Sequence, residues 1–338
     1  RFSSAFNNQI VIVMLFISSF TMFMAGLAAN FEYDLKKIIA FSTLSQLGLM
    51  MSILSLGESM LAFFHLLMHA LFKALLFMCA GCMIHNMLNC QDIRYMGCMI
   101  NFIPLTSSFF NICNLSLCGL PFLSGFYSKD LILEFMSMSY MNFYIYVIFY
   151  ISTGLTVMYS FRLTYYTMIK DFNSFSYFLM IDSQDKMLKG MGGLILLVIF
   201  GGSFSSWLIF PSPYLICLPF FMKLMVMLII FIGIWLGYLM SLISFNNYSK
   251  MLKFYYMSIY ISSIFNLNFL STIGLNYYFL NFGSSYNWLT DQGWSEYLGS
   301  LNIFYLMKNS SSFLQKVFLN NLKIFLVLFM IWIFICIF

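Results

Sequence analysis

Charge is what this chain has least of. Sixteen lysines and arginines and eleven aspartates and glutamates make up 8% of 338 residues, against about 25% in an ordinary soluble domain. So few charges cannot cover a globule of this size, and 42 Phe, 28 Met and 22 Tyr leave more apolar surface than water tolerates. The composition excludes a soluble globular protein and makes lipid the natural solvent. An initiator methionine is also missing. Residue 1 is Arg1, with no signal-peptide pattern before the first apolar run, so the sequence is expected to start inside a longer chain. Absent too are a phosphate loop, a dinucleotide fingerprint, a catalytic triad and an iron-sulfur cysteine spacing, which leaves nothing to carry electrons. The net charge of +5 comes from basic residues scattered singly, not from the patch or stripe a nucleic acid would need. Cys79 and Cys82 form a C-x-x-C, but a thiol inside an apolar helix reads as a small hydrophobic residue.

What is present is a series of runs long enough to cross a bilayer, which takes about 20 apolar residues. Eight emerge, at 9–29, 35–56, 59–85, 101–138, 141–168, 190–210, 219–244 and 320–338. The fourth is too long for one straight span and holds Gly119, Leu120, Pro121 and Gly125 in its middle; it reads as a broken helix. The loops near 30–37, 86–100, 169–189 and 245–319 hold Lys36, Lys37, Arg94, Lys170, Lys186, Lys189, Lys250, Lys253, Lys308 and Lys316. Those near 57, 139 and 211–218 hold no Lys or Arg. The two sets alternate across eight spans, so one side of the membrane carries the positive charge. The expected fold is an all-α polytopic membrane protein: a bundle over 1–244, a tail over 245–319 on the positive side, and a final anchor over 320–338. In the tail, Trp294, Tyr297, Leu298, Leu301 and Phe304 recur at helical spacing while Asp291, Ser295, Glu296 and Asn302 lie on other faces, the pattern of an amphipathic helix lying along the membrane or along neighbouring subunits.

Charges at the bilayer centre cost about 2.5–3.5 kcal/mol each on insertion scales, so every one is a functional candidate. The third run carries His65, His69 and Lys73, which at 1.5 Å per residue form a stack about 12 Å long on one face. Histidine titrates near neutrality and a desolvated lysine can be brought into the same range, which suits a proton relay. Metal ligation by the H-x-x-x-H pair is the rival chemistry, and satisfied structural histidines are the plain one; Lys73, a cation one turn on, argues against the metal. The second group is Ser128-Lys129-Asp130, just past the break. Unwound backbone in a membrane is tolerated only where it is buried or lines a cavity, so Lys129 is placed as a proton site, with Asp130 or Glu134 as a partner that tunes it; the plain alternative is a lysine snorkelling to the interface. Lys36 and Lys37 open the second run, Lys223 reads as an interfacial anchor, and Arg162 reads as a snorkelling residue near the positive end.

Three strings now stand together: Asp34-Leu-Lys36-Lys37 through Gln46-Leu-Gly48, then His65-x-x-x-His69-Ala-Leu-Phe-Lys73, then Gly119-Leu120-Pro121-Phe-Leu-Ser-Gly125-Phe-Tyr-Ser-Lys129-Asp130. From about residue 20 onward, with Asp291-Gln-Gly-Trp294-Ser-Glu296 in the tail, the chain resembles the NADH dehydrogenase subunit 5 family of mitochondrial respiratory complex I. The resemblance implies a proton-translocating subunit of NADH:ubiquinone reductase with no redox chemistry of its own. It implies Lys36, His65, His69 and Lys73 as the central relay, with Lys129 and Asp130 leading to the exit side. Cofactors are expected only in other subunits, as flavin, iron-sulfur clusters and quinone. Partners would be other membrane-arm subunits, especially the subunit 4 and subunit 2 antiporter-like chains along the lateral helix, together with membrane lipids and no nucleic acid. The location would be the mitochondrial inner membrane, with 245–319 on the matrix side. Full-length members of the family carry further helices upstream with the inlet half of the pathway, so these residues would form its exit half. A bacterial multi-subunit Na+/H+ antiporter chain shares the His65 to Lys73 motif, and a structural brace would explain the spans without the chemistry. Heavy use of Phe, Met, Ile, Tyr and Asn with little Ala is the composition of an AT-rich organellar genome.

Overall fold

A computed structural model describes residues 3–138, 143–174, 180–182, 185–242, 254–319 and 322–338. Among them the chain is helical, and it divides into one unit up to Phe265 and another over Asn266–Phe338.

In the first unit, six helices are long and apolar enough to cross a membrane: α1 (Asn8–Phe31), α2 (Leu35–Ser55), α3 (Ser59–Asn86), α6 (Phe143–Thr164, running on through a π-turn at Tyr165–Ile169), α7 (Asp185–Ile209) and α8 (Phe220–Leu242). Between α3 and α6 lie two half-length helices, α4 (Pro104–Cys118) and α5 (Ser124–Met138). They are the expected broken span, with its start set by Pro104 at the first helical position, where the missing N–H is no loss. A short helix, α9 (Tyr255–Ser262), completes the unit and packs on α1. Lys250 and Lys253, the loop at 139–142 and the start of the last span fall outside the described residues.

Gly119 stops α4. It adopts the left-handed conformation at φ +84°, and its N–H and that of Leu120 return to the carbonyls of Ser116 and Leu115 at 3.1 and 3.3 Å, a Schellman ending. The chain then turns so tightly that a Cβ on Gly125 would stand 1.7 Å from the Ser116 carbonyl oxygen. Only glycine lets the two half-helices approach this closely.

α3 is the axis of the bundle, packed against α2, α4, α5 and α7. Phe64, Phe72, Leu75, Leu76 and Phe110 form the dry part of its surroundings. The outward faces carry Leu44, Leu47, Phe63, Leu66, Ile151 and Leu196, while serines, threonines, two histidines and two lysines are inside. Apolar groups face the solvent and polar groups the interior, as the hydrocarbon requires. Most buried hydroxyls bond a carbonyl one turn back, as Ser42 to Ile39, Ser45 to Ser42 and Ser52 to Leu49.

Backbone contacts sort the loops as the charge pattern predicts. At one end Leu35 N bonds Gln91 O at 2.9 Å, Ile93 N bonds Tyr33 O at 3.0 Å and Cys98 N bonds Lys170 O at 2.8 Å, and α8 ends there too, with Tyr166 donating to Ser241 O at 3.3 Å. This end holds both ion pairs found among the described residues, Lys37 with Asp34 and Arg94 with Asp92. At the other end, without Lys or Arg in its loops, Tyr214 donates to Glu58 at 3.1 Å and Cys217 N reaches Met138 Sδ at 3.2 Å. Arg162 departs from the expected snorkelling. It is buried, donates to the Glu32 carbonyl and lies 5.0 Å from the Tyr33 ring, because the α1–α2 connection supplies an acceptor and an aromatic face closer than water.

In the second unit, helix α10 (Ile273–Tyr286), the π-turns Asn287–Trp294 and Tyr297–Leu301, and helix α11 (Asn302–Leu319) join without a break. The 47 residues from 273 to 319 extend about 70 Å, more than twice the roughly 30 Å hydrocarbon core. A single straight span does not need that length. The last helix, α12 (Leu322–Ile337), is apolar apart from Lys323 in its first turn.

Two outcomes follow. Gly125→Ala should destabilise the detergent-solubilised protein by about 1–3 kcal/mol or more through overpacking, while Gly81→Ala, with nothing within 4 Å of its Cβ, should melt like the parent. At the charged end, burial raises the Asp92 carboxyl but Arg94, bonding it at 3.0 and 3.1 Å, outweighs burial and holds it below the ordinary carboxylate range. A carboxyl lowered in the folded state adds stability that is present above its unfolded value, about 3.9, and is lost as pH falls below it. The protection of the Leu35 and Ile93 amides against hydrogen exchange, taken relative to the intrinsic rate at each pH, should therefore fall on acidification through that range, and Arg94→Ala should abolish the dependence.

Candidate proton-relay site

Position on the helix decides which polar side chains meet. α2 buries Ile38, Ile39, Ser42, Ser45, Gln46 and Leu49, a face of period 3.6, and that face meets His65 and Lys73 on α3 through Gln46 and Ser42. Lys36 lies off it. The family resemblance implied Lys36 in the central relay, but at the first turn of α2 its side chain is exposed, off the buried face, and it is not brought to His65, His69 and Lys73. Lys37, also exposed, pairs with Asp34 at 2.8 Å.

His65 is the centre of the site, 1% exposed. Its Nε2 faces Gln46 Oε1 at 3.2 Å and its Nδ1 faces Ser128 Oγ at 2.9 Å. With Nε2–H donating to Gln46, a neutral ring accepts at Nδ1 from the Ser128 hydroxyl. A protonated ring instead donates from Nδ1 to Ser128 Oγ, and the Ser128 hydrogen turns to the Gly125 carbonyl, 3.3 Å away. Both charge states thus have complete hydrogen bonding. That carbonyl lies in the first turn of α5, just past the helix break.

On one side of His65 stands His69, its ring centroid 6.3 Å away and its Nε2 buried without a hydrogen-bond partner. One turn further, Lys73, 4% exposed, donates to Ser42 Oγ. On the other side is Lys129, also 4% exposed, donating to Thr156 Oγ1 at 2.8 Å and to the Leu117 carbonyl at 3.4 Å. That carbonyl is in the last turn of α4, where helical partners run out. Lys129 therefore does not snorkel. Electrostatic neighbours run in order along the site: Lys73 beside His69, His69 beside His65, and His65 beside Lys129.

Asp130 does not partner Lys129. Consecutive helical residues point about 100° apart, and Asp130, half-buried, has Glu134 and Lys223 as its charged neighbours. Between Lys129, Asp130, Thr153 and Val226 is a pocket with room for about one water molecule. Ser42, Gln46 and Thr156 were not singled out by sequence. The signal that could have found the first two is the group Ser42, Ser45 and Gln46, three and four residues apart from Ser42 along an apolar helix.

Comparison with known proteins fits this arrangement. Residues 1–156 match the transmembrane model of the NADH:quinone oxidoreductase/Mrp antiporter proteins, and residues 159–338 match the model of the NADH dehydrogenase subunit 5 C-terminus. NADH-ubiquinone oxidoreductase chain 5 of the mosquito Anopheles quadrimaculatus is 54% identical over 94% of this chain and 55% of its own length. That of the locust Locusta migratoria is 51% identical over 95% and 56%, and that of the earthworm Lumbricus terrestris 36% over 92% and 53%. The chain thus spans about half the length of these relatives. A solved Mrp complex from Dietzia sp. shares the fold, at a TM-score of 0.51 with 16% identity, over 69% of this chain and 49% of the other. With a family model covering each half and relatives at this identity, the chain belongs to the NADH dehydrogenase subunit 5 family, the antiporter-like membrane-arm subunits of respiratory complex I.

Proposed function

We propose that this chain moves protons through the line Lys73, His69, His65 and Lys129 and releases them past Asp130 and Glu134 at the end of the bundle without basic loops. The observation that carries the reading is His65, whose bonds to Gln46 and Ser128 are complete whether the ring is neutral or protonated. A residue with a purely structural role needs one satisfied state; a relay needs two. Lysines held by neutral oxygens support the same reading. Ser42, Thr156 and Leu117 O accept from an ammonium yet none of them fixes its charge as a carboxylate would. Moving one charge against 100 mV takes about 2.3 kcal/mol, so the line must be gated, and narrow space beside Lys129 gives wetting and drying a place to act.

The chain would work as a non-redox subunit of NADH:ubiquinone oxidoreductase in the mitochondrial inner membrane, with the basic loops on the matrix side and flavin, iron-sulfur clusters and quinone in other subunits. The 47-residue helical run, longer than one straight span needs, would lie against the subunit 4 and subunit 2 antiporter-like chains.

In sealed vesicles holding the assembled complex, Lys129→Met and Lys73→Met should each leave NADH-driven quinone reduction in place while lowering the protons moved per electron. A membrane brace predicts an unchanged ratio in both variants, and that result would refute the relay.

A further inference from the structure

Between α7 and α8 the chain runs without helix from Phe210 to Pro219, and three of its five prolines, Pro211, Pro213 and Pro219, stand in this stretch. Proline fixes φ and leaves such a strap few conformations to lose. The strap is tied at several points. The Phe210 ring meets Phe64 of α3 edge-on at 5.4 Å, and the Tyr214 ring meets Phe210 at 5.3 Å and Phe135 of α5 at 6.1 Å. The Tyr214 hydroxyl donates at 3.1 Å to Glu58, the residue just before α3, and Cys217 N reaches Met138, the last residue of α5, at 3.2 Å. One strap thus holds the start of α3 and the end of α5.

Register gives these contacts their reach. Glu58 is seven residues before His65, and Phe135 is seven after Ser128. Seven residues make about two helical turns, which return to nearly the same face about 10 Å along the axis. α3 runs inward from this end of the bundle and α5 runs outward to it. Tyr214 therefore touches both helices on the faces that meet, two turns deeper, in the His65–Ser128 bond of 2.9 Å. The inner end of α5 is set by the close approach of Gly125 to Ser116, and its outer end by the strap. A hydrogen bond of this kind is made over donor–acceptor distances of about 2.5–3.2 Å, so a slip of about 1 Å between the two helices loses it.

We propose that Tyr214 is a positioning residue of the relay: by tying Glu58 to Phe135 it sets the register of α5 on α3 in which Ser128 stands opposite His65. The inference rests on the proton-relay reading and deepens it. In this role Tyr214 neither takes up nor passes a proton. It holds the alignment in which His65 has a partner at Nδ1 in both of its charge states. With the strap released, α5 is free to slide along α3, and Nδ1 loses Ser128.

The test is Tyr214→Phe in the assembled complex in sealed vesicles, which keeps the ring contacts and removes the hydroxyl. The expected result is fewer protons per electron at retained quinone reduction. Glu58→Ala should show the same loss, and Glu58→Gln, which keeps an oxygen to accept, should hold the parental ratio. A double-variant series separates positioning of His65 from general support of the fold. Tyr214→Phe should lower the ratio no further in Ser128→Ala, where the bond it sets is already gone, and should lower it further in Thr156→Ala, where that bond remains. A Tyr214→Phe ratio equal to the parent's would overturn the inference, and so would an added loss in both backgrounds or in neither. Should Tyr214→Phe fail to assemble, Glu58→Ala against Glu58→Gln in the same backgrounds is read in the same way. If Lys129→Met loses pumping while Tyr214→Phe matches the parent, the relay stands and Tyr214 has no part in it; if Lys129→Met pumps normally, the relay reading itself is wrong.

Discussion

An unpartnered polar group in hydrocarbon costs several kcal/mol, and the arrangement of this chain follows from that cost. It makes the spans helical, turns serines back onto their own carbonyls and puts Lys129 and His65 in the interior rather than at the lipid face. It also gives the break in the α4–α5 span its use. Breaking a helix frees carbonyls that lipid could not satisfy, and one of these is turned to the site: Leu117 O, in the last turn of α4, accepts from Lys129. Gly125 is fixed by the same geometry, since any side chain there would drive the half-helices apart.

The constraint acts on charge as well as on hydrogen bonds. A carboxylate against Lys129 would hold the ammonium in one state and resist the release of its proton. Oxygens of Thr156 and Leu117 satisfy the amine without that bias. Carboxylates appear one step away instead, at Asp130 and Glu134 beside Lys223, where a proton leaving the line would meet a group able to take it. The full ion pairs found among the described residues stand at the basic end of the bundle, outside the relay.

Much of this was legible in the sequence because the scarcity of charge makes each exception visible. The stack of His65, His69 and Lys73 and the break around Gly119–Gly125 are local patterns, and each stands in the structure as read, while the basic loops around 34–37, 91–98 and 170 gather at one end of the first unit. What sequence could not supply is the partner of each group. Ser128 is 63 residues from His65, and Thr156 is 27 from Lys129, and serine or threonine in an apolar helix draws no notice. Nor does spacing say which face of a helix meets its neighbour. That is why Lys36, adjacent in sequence to a buried face, is exposed; why Asp130, adjacent to Lys129, looks elsewhere; and why Arg162 is buried under the α1–α2 connection.

The central claim is that His65 changes its protonation state during transport. The most direct measurement is the number of protons moved per electron by an assembled complex carrying His65→Gln, which can still bond Gln46 and Ser128 but cannot take up a proton. The account predicts a stable complex that reduces quinone and moves fewer protons for each electron. A ratio equal to that of the unmodified complex would show that His65 serves packing alone, and would contradict it.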